Sequence, residues 1–173
     1  GAVDDSHIAA LASSKLTGNL PAISGAALTN LPGGGKILQI VGSTHSTQTT
    51  CNNTVGHCQT GLTCDITPSA TSSKIIIMFN CGGCMKNQGD FNAQWYIFKG
   101  GSSIATVAML LDNSSAATYE SDGTVSGVYL DSPNTTSSTT YDIRFLVSNG
   151  NYIAWNGRNG TVQSMVLMEV DGS

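Results

Sequence analysis

From Lys36 onward the sequence is a succession of short runs rich in β-branched residues, each closed by Gly, Pro or Asn. Val, Ile, Thr and aromatic side chains fit a pleated, half-buried surface, whereas Gly, Pro and Asn favour turns. "KILQIVGS" opens the series. "GLTCDITP" sets Leu62, Cys64 and Ile66 against Thr63 and Asp65, the alternation of a strand with one buried face, and stops at Pro68. "SSKIIIMFNC" is apolar at consecutive positions, which predicts a central strand covered on both faces. "FNAQWYIFKGGSSIATVAMLL" reads as a hairpin about Gly100-Gly101, and "TTYDIRFLVSNGNYIAW" as another about Asn149-Gly150. "TVSGVYLDSP" is a strand ended by Pro133, and "VQSMVLMEV" closes the series. Eight or more short strands with regularly spaced turns predict an all-β fold: an antiparallel, jelly-roll-like β-sandwich head over residues 36–173.

Residues 1–35 follow another rule. Asp5 or Ser6 is positioned to cap a two-turn helix through Ile8 and Leu11. Leu16-Thr17-Gly18-Asn19-Leu20-Pro21 then recurs, one residue shorter, as Leu28-Thr29-Asn30-Leu31-Pro32. Proline restricts both itself and the residue before it, so each copy is expected to be extended. Two copies are too few to pack on themselves as a solenoid. Leu16, Leu20, Ile23, Leu28 and Leu31 therefore need an apolar surface from elsewhere. Three parallel copies would supply one around a shared axis, at about 1.5–3 kcal/mol for each buried side chain. The alternative is that the segment lies along its own β domain. Gly33-Gly34-Gly35 is a hinge between this stem and the head. The chain starts with Gly1 rather than Met, which suggests a piece of a longer polypeptide or a tag remnant.

The segment "SKLTGNLPAISGAALTNLPGGGKILQIV" resembles the stem-to-head junction of bacteriophage tail fibres and related virion fibre proteins. "ITPSATSSKIIIMF", "LDSPNTTSSTTYDIRF" and "MVLMEV" are similar to recurring segments of the C-terminal β head of such fibres. The resemblance covers most of residues 14–171. It implies an extracellular virion component, a homotrimeric fibre whose distal head touches a host-cell glycan or protein and whose N-terminal side meets other virion proteins. The cysteines of "CNNTVGHCQTGLTC" and "CGGC" are outside that pattern, and the loop carrying Arg158 is short, so no tip residue is carried over from the family.

Only 10% of the residues are charged, against about 25% in ordinary domains, and the net charge is −4. The seven cations are scattered, so no phosphate-tracking surface is expected and nucleic acid is not a partner. No apolar run approaches the roughly 18 residues of a spanning helix, and membrane insertion is not expected.

Five cysteines cannot all pair within one chain. Cys64, on the inner face of its strand, is the expected free thiol. Cys51, Cys58, Cys81 and Cys84 allow three disulfide connectivities, of which Cys51–Cys58 with Cys81–Cys84 is the local one. A zinc site is the rival, with Cys81-Gly82-Gly83-Cys84 supplying two thiolates and Cys51, Cys58, His45 or His57 the rest. A redox "CGGC" would need a helix N-terminus to acidify its thiol, and none is suggested.

No cofactor is indicated, and catalysis has little to stand on. His7, His45 and His57 lack a nucleophile motif beside them, and Asp112, Glu120, Asp122 and Asp131 read as turn carboxylates. Binding is better served. Trp95 and Tyr96 alternate along a strand, so one of them faces outward. "AWNGRNG" places Trp155, Asn156, Arg158 and Asn159 in a turn-rich loop, an aromatic with amide and guanidinium donors that suits a sugar. Tyr119, Tyr129 and Tyr152 also lie near strand ends. Receptor attachment through Tyr96 and this loop is the leading expectation. A polysaccharide depolymerase tip and an architectural head fibre or decoration without a receptor are the alternatives.

Overall fold

The run that is apolar at consecutive positions is indeed central. It forms the 13-residue strand β4 (Lys74–Lys86), with β10 (Gln163–Val170) antiparallel on one side and β7 (Ser121–Asp131) on the other. Among the described residues, however, only one of its faces is covered by a second sheet. Ile75, Ile77, Phe79 and Cys81 are buried, while Ile76 and Met78 on the opposite face are half-buried. β1 (Ile37–His45) pairs with β10 at one edge, and β2 (Thr49–Cys51) pairs with β9 (Ala154–Asn156), which joins the far end of β4. These six strands make the first sheet.

The second sheet has four strands in the order β3 (Cys58–Ile66), β8 (Thr139–Val147), β5 (Ala93–Lys99) and β6 (Ser102–Leu110). All the pairings are antiparallel, and the described residues between strands hold one short 3₁₀ turn at Arg158–Gly160. The structure is a computed structural model that describes residues 36–52, 55–86, 92–110, 121–148 and 154–172. The chain divides into two compact units, Gly1–Gly33 and Gly34–Ser173, and the described residues belong to the second. Leu16, Leu20, Ile23, Leu28 and Leu31 lie outside the described residues.

The sandwich core draws on both sheets. Ile75, Ile77, Met165 and Leu167 come from the first, and Leu62, Trp95, Ile97, Tyr141, Ile143 and Phe145 from the second. The Trp95 and Phe145 rings stack with centroids 5.6 Å apart. In β3 the predicted alternation holds, with Leu62, Cys64 and Ile66 buried and Thr63 and Asp65 exposed. Cys64 is an unbonded thiol.

The two predicted hairpins have different outcomes. Lys99 pairs with Ser102 across Gly100-Gly101, and both glycines have positive φ (54° and 86°), which matches a two-residue turn to the strand twist. The hairpin about Asn149-Gly150 does not form. β8 pairs with β3 and β5, whereas the strand after it, β9, pairs with β2 and β4 in the other sheet. Both edges of β8 are already occupied, so the chain crosses between sheets instead of folding back.

Two polar clusters tie the layers at their margins. Asp131 of β7 accepts from Tyr141 Oη at 2.6 Å and pairs with Lys99 Nζ at 2.9 Å, linking one sheet to the other. Glu169 of β10 is fully buried and accepts from Ser69 N (2.7 Å), Ser69 Oγ (2.6 Å), Ser73 Oγ (2.6 Å) and Gln39 Nε2 (2.5 Å). Burial alone would raise its pKa, but these donors favour the carboxylate and together hold it down at about 2. A depressed carboxyl stabilises the fold fully above its ordinary value and loses that contribution as the pH falls through the folded value. Replacing Glu169→Gln should therefore destabilise the protein by about 1–3 kcal/mol at pH 7. In urea titrations that difference should shrink as the pH falls from 4.5 toward 2; an equal difference at every pH would contradict this role.

Candidate functional site

The sequence "CGGC" serves a structural end. The register of β4 against β7 shifts between Cys81 and Cys84, so the four residues form a bulge. The turn after β9 seats itself in it. Gly157 N donates to Gly82 O at 3.1 Å, and a Cβ on Gly83 would lie 2.6 Å from Arg158 N. Gly83 also has φ +61°, so glycine is required there on two counts. Cys81 and Cys84 are fully buried thiols and do not form the disulfide that local pairing would give. Burial pushes both pKa values up, that of Cys84 to about 12 and that of Cys81 further, with Cys84 adding to the shift at Cys81. Cys84 Sγ lies 3.0 Å from the Cys81 carbonyl and 3.3 Å from Asn156 Oδ1. Cys51 and Cys58 are joined as a disulfide, so neither can complete a thiolate site with the bulge cysteines. Among the described residues no three His, Cys, Asp or Glu side chains are grouped to hold a metal.

Within the "AWNGRNG" loop, Asn156 does not face solvent as expected. Asn156 is fully buried: its amide donates to Gln163 Oε1, and its carbonyl accepts from Trp95 Nε1 at 3.3 Å. It holds the turn against the core and cannot meet a ligand from solvent. Arg158 is half-buried with its guanidinium against Met85 Sδ, and Asn159 is exposed. The Trp155 side chain lies outside the described residues, as do His7, Asp112, Tyr119, Glu120 and Tyr152. Asp131 is spent on Lys99 and Tyr141, as above.

The outer face of the second sheet brings together a different set. Register places Arg144 between Gln59 of β3 and Tyr96 of β5, and Asp142 between Thr63 and Phe98. Asp142 and Arg144 form an ion pair along β8. With Gln59, Thr63 and Thr140 they line a cleft of about 350 Å³, whose other walls include Gly61 and the Gly100-Gly101 turn. Gly61 interrupts the β3–β8 register and has φ +85°, with His45 so close beneath that a Cβ would sit 2.3 Å from Nε2.

An aromatic cluster adjoins the cleft. The Arg144 guanidinium carbon lies 4.2 Å above the Phe98 ring. His57 packs edge-on to Tyr96 at 4.5 Å and to Phe98 at 4.9 Å. Partial burial, then the Arg144 charge, lowers the His57 pKa, which favours neutral imidazole at neutral pH. Of the adjacent pair, Trp95 is the core residue and Tyr96 the outward one, its hydroxyl bonded to Gln94. The cleft thus offers guanidinium and amide donors and carboxylate and hydroxyl acceptors, with the aromatic cluster packed behind Arg144. That donor set fits a polyhydroxylated ligand. The alternation of Thr140, Asp142 and Arg144 along β8 is visible in the sequence. Their meeting with Gln59 and Thr63 is not, because β3 and β8 are distant in the chain.

No protein-family model matches the sequence, and no curated protein matches it. Among solved structures, the infectious bursal disease virus VP2 subviral particle is similar over 78% of this chain and 39% of that one, with a TM-score of 0.33 and 12% identity. A structure of infectious bursal disease virus Gx strain is similar over 78% of this chain and 40% of that one, with a TM-score of 0.29 and 14% identity. The chain therefore spans well under two-thirds of the length of either.

The bulge and the thiols can be checked together. Gly83→Ala should cost about 1–3 kcal/mol through the left-handed φ and the clash with the Arg158 backbone. In the native protein a thiol reagent should leave Cys81 and Cys84 unmodified, and both should react in denaturant, with Cys51 and Cys58 reacting only after reduction. Rapid native labelling of Cys81 or Cys84 would contradict the buried bulge.

Proposed function

We propose that this chain is the distal part of a homotrimeric virion fibre, and that its β head attaches the particle to a host-surface glycan through the Asp142–Arg144 cleft. The observation that carries this reading is the cleft itself, a rigid sheet surface on which Gln59, Thr63, Thr140, Asp142 and Arg144 converge beside an aromatic cluster. The resemblance of residues 14–41 to a fibre stem-to-head junction supports the virion setting. In this reading the N-terminal side joins other virion proteins. Weak contacts at one cleft are multiplied by three heads and by several fibres through effective concentration. Recognition built from hydrogen bonds, on a chain of so little charge, depends weakly on salt.

The test is competition. Purified protein should block adsorption of the parent particle to its host, with little change between about 0.05 and 0.5 M salt. Arg144→Ala and, separately, Thr63→Ala should each weaken cell binding, the former at least tenfold, with far-UV circular dichroism unchanged. Failure of the folded protein to compete would favour the architectural reading. Release of reducing sugar from host polysaccharide would favour the depolymerase.

A further inference from the structure

The outer face of the first sheet is as apolar as the other outer face is polar. Cross-strand register lines up Ile40, Met168, Ile76 and Leu130 in one continuous row over β1, β10, β4 and β7. The next row is Gly42, Val166, Met78 and Val128. All point away from the sandwich core. Ile40, Leu130 and Val128 are 59%, 58% and 71% exposed, and the remaining large side chains are half-buried. Ile37, paired with Val170, extends the patch where β1 begins, and both Ile37 and its neighbour Leu38 are exposed. The row beyond, Thr44, Ser164, Asn80 and Ser126, is polar, so the apolar surface has a sharp border on that side. A sheet face of this kind is a contact surface, not scattered exposed residues.

We propose that this face is the head-to-head contact between copies of the same chain, with three such faces turned toward a common axis. The inference rests on the homotrimer reading above. Two observations select a second copy as the occupant. The patch begins at Ile37, where the chain arrives from the 35-residue segment carrying Leu16, Leu20, Ile23, Leu28 and Leu31. Stems joined there would bring the three patches together at high effective concentration. The two rows themselves carry no charge, and the cation on the same face, Lys74 in the row of Ile37 and Val170, lies at the margin and donates to Ser132 Oγ at 2.8 Å, so the centres of identical faces meet without like-charge repulsion. Two rows four strands wide cover on the order of 300–400 Å² per chain, below the roughly 800 Å² per partner of an independent stable interface. The contact therefore depends on the stem to hold the copies close.

Peroxide footprinting of the full 173-residue chain, run with sedimentation of the same sample, tests this. The sedimenting mass should be three times the 17.9 kDa of one chain. Met78 and Met168 should be oxidised at least fivefold more slowly in the wild-type protein than in the double variant Val128→Glu, Leu130→Glu. The buried Met85 and Met165 should stay unreactive in both, which reports that the head is folded. Ser126→Glu, beyond the border, should leave the wild-type pattern unchanged. A trimeric mass with Met78 and Met168 freely oxidised in the wild-type protein would overturn the contact and leave the fibre reading intact. A monomeric mass would overturn both. Should the double variant misfold, the wild-type rates of Met78 and Met168 against the same methionines after denaturation decide the question.

Discussion

The fold depends on a single physical asymmetry in β4. Its inward residues Ile75, Ile77, Phe79 and Cys81 are closed off in the core shared with Trp95, Ile97, Ile143 and Phe145, whereas its outward residues remain accessible. Burying apolar surface between two sheets is what fixes strand register, because a slip by one residue would exchange the two faces. Once β4 is set, β10 and β7 must align on either side of it, and β1 must align on β10. The outer apolar rows are a consequence of that same alignment. They arise because β4 carries apolar residues at consecutive positions while, among the described residues, a second sheet covers only one side.

The bulge in β4 shows how local chemistry is subordinated to packing. Two cysteines separated by two residues suggest a ligand or a redox pair. Here the intervening glycines are what matters: they let β4 kink and admit the turn after β9. The thiols face inward as small apolar groups, and their burial suppresses ionisation. Asn156 follows the same logic. In the sequence it is a polar residue in a Gly-rich turn. In the fold it joins Gln163, Trp95 and Cys84 from three other strands, because a buried amide is tolerated only when its donors and acceptors are matched.

The two outer faces divide the labour of the proposed fibre head. One sheet presents apolar rows of no particular shape, suited to association with like surfaces. The other presents a cleft, an ion pair and aromatic edges, suited to directional recognition. Asp131 and Glu169 join elements at the margins of the sandwich, so both faces are carried on a rigid frame. A recognition surface on paired strands keeps its geometry more closely than one on a long loop, which favours weak contacts repeated over several heads.

By itself the sequence determined the all-β class, the approximate strand positions, the Gly100-Gly101 hairpin, the inward row of β3 with its free Cys64, and the choice of Tyr96 or Trp95 as the outward residue. Each of these is written in alternation or in turn chemistry over a few consecutive residues, where backbone sterics act locally. Only the tertiary structure decided that Trp95 is the inward one, that Asn156 is buried, that β9 leaves β8 for the other sheet, and that Gln59 and Thr63 meet Asp142 and Arg144. Those outcomes depend on which distant strands become neighbours. That is set by the packing of the two sheets as a whole, and no short window of residues encodes it.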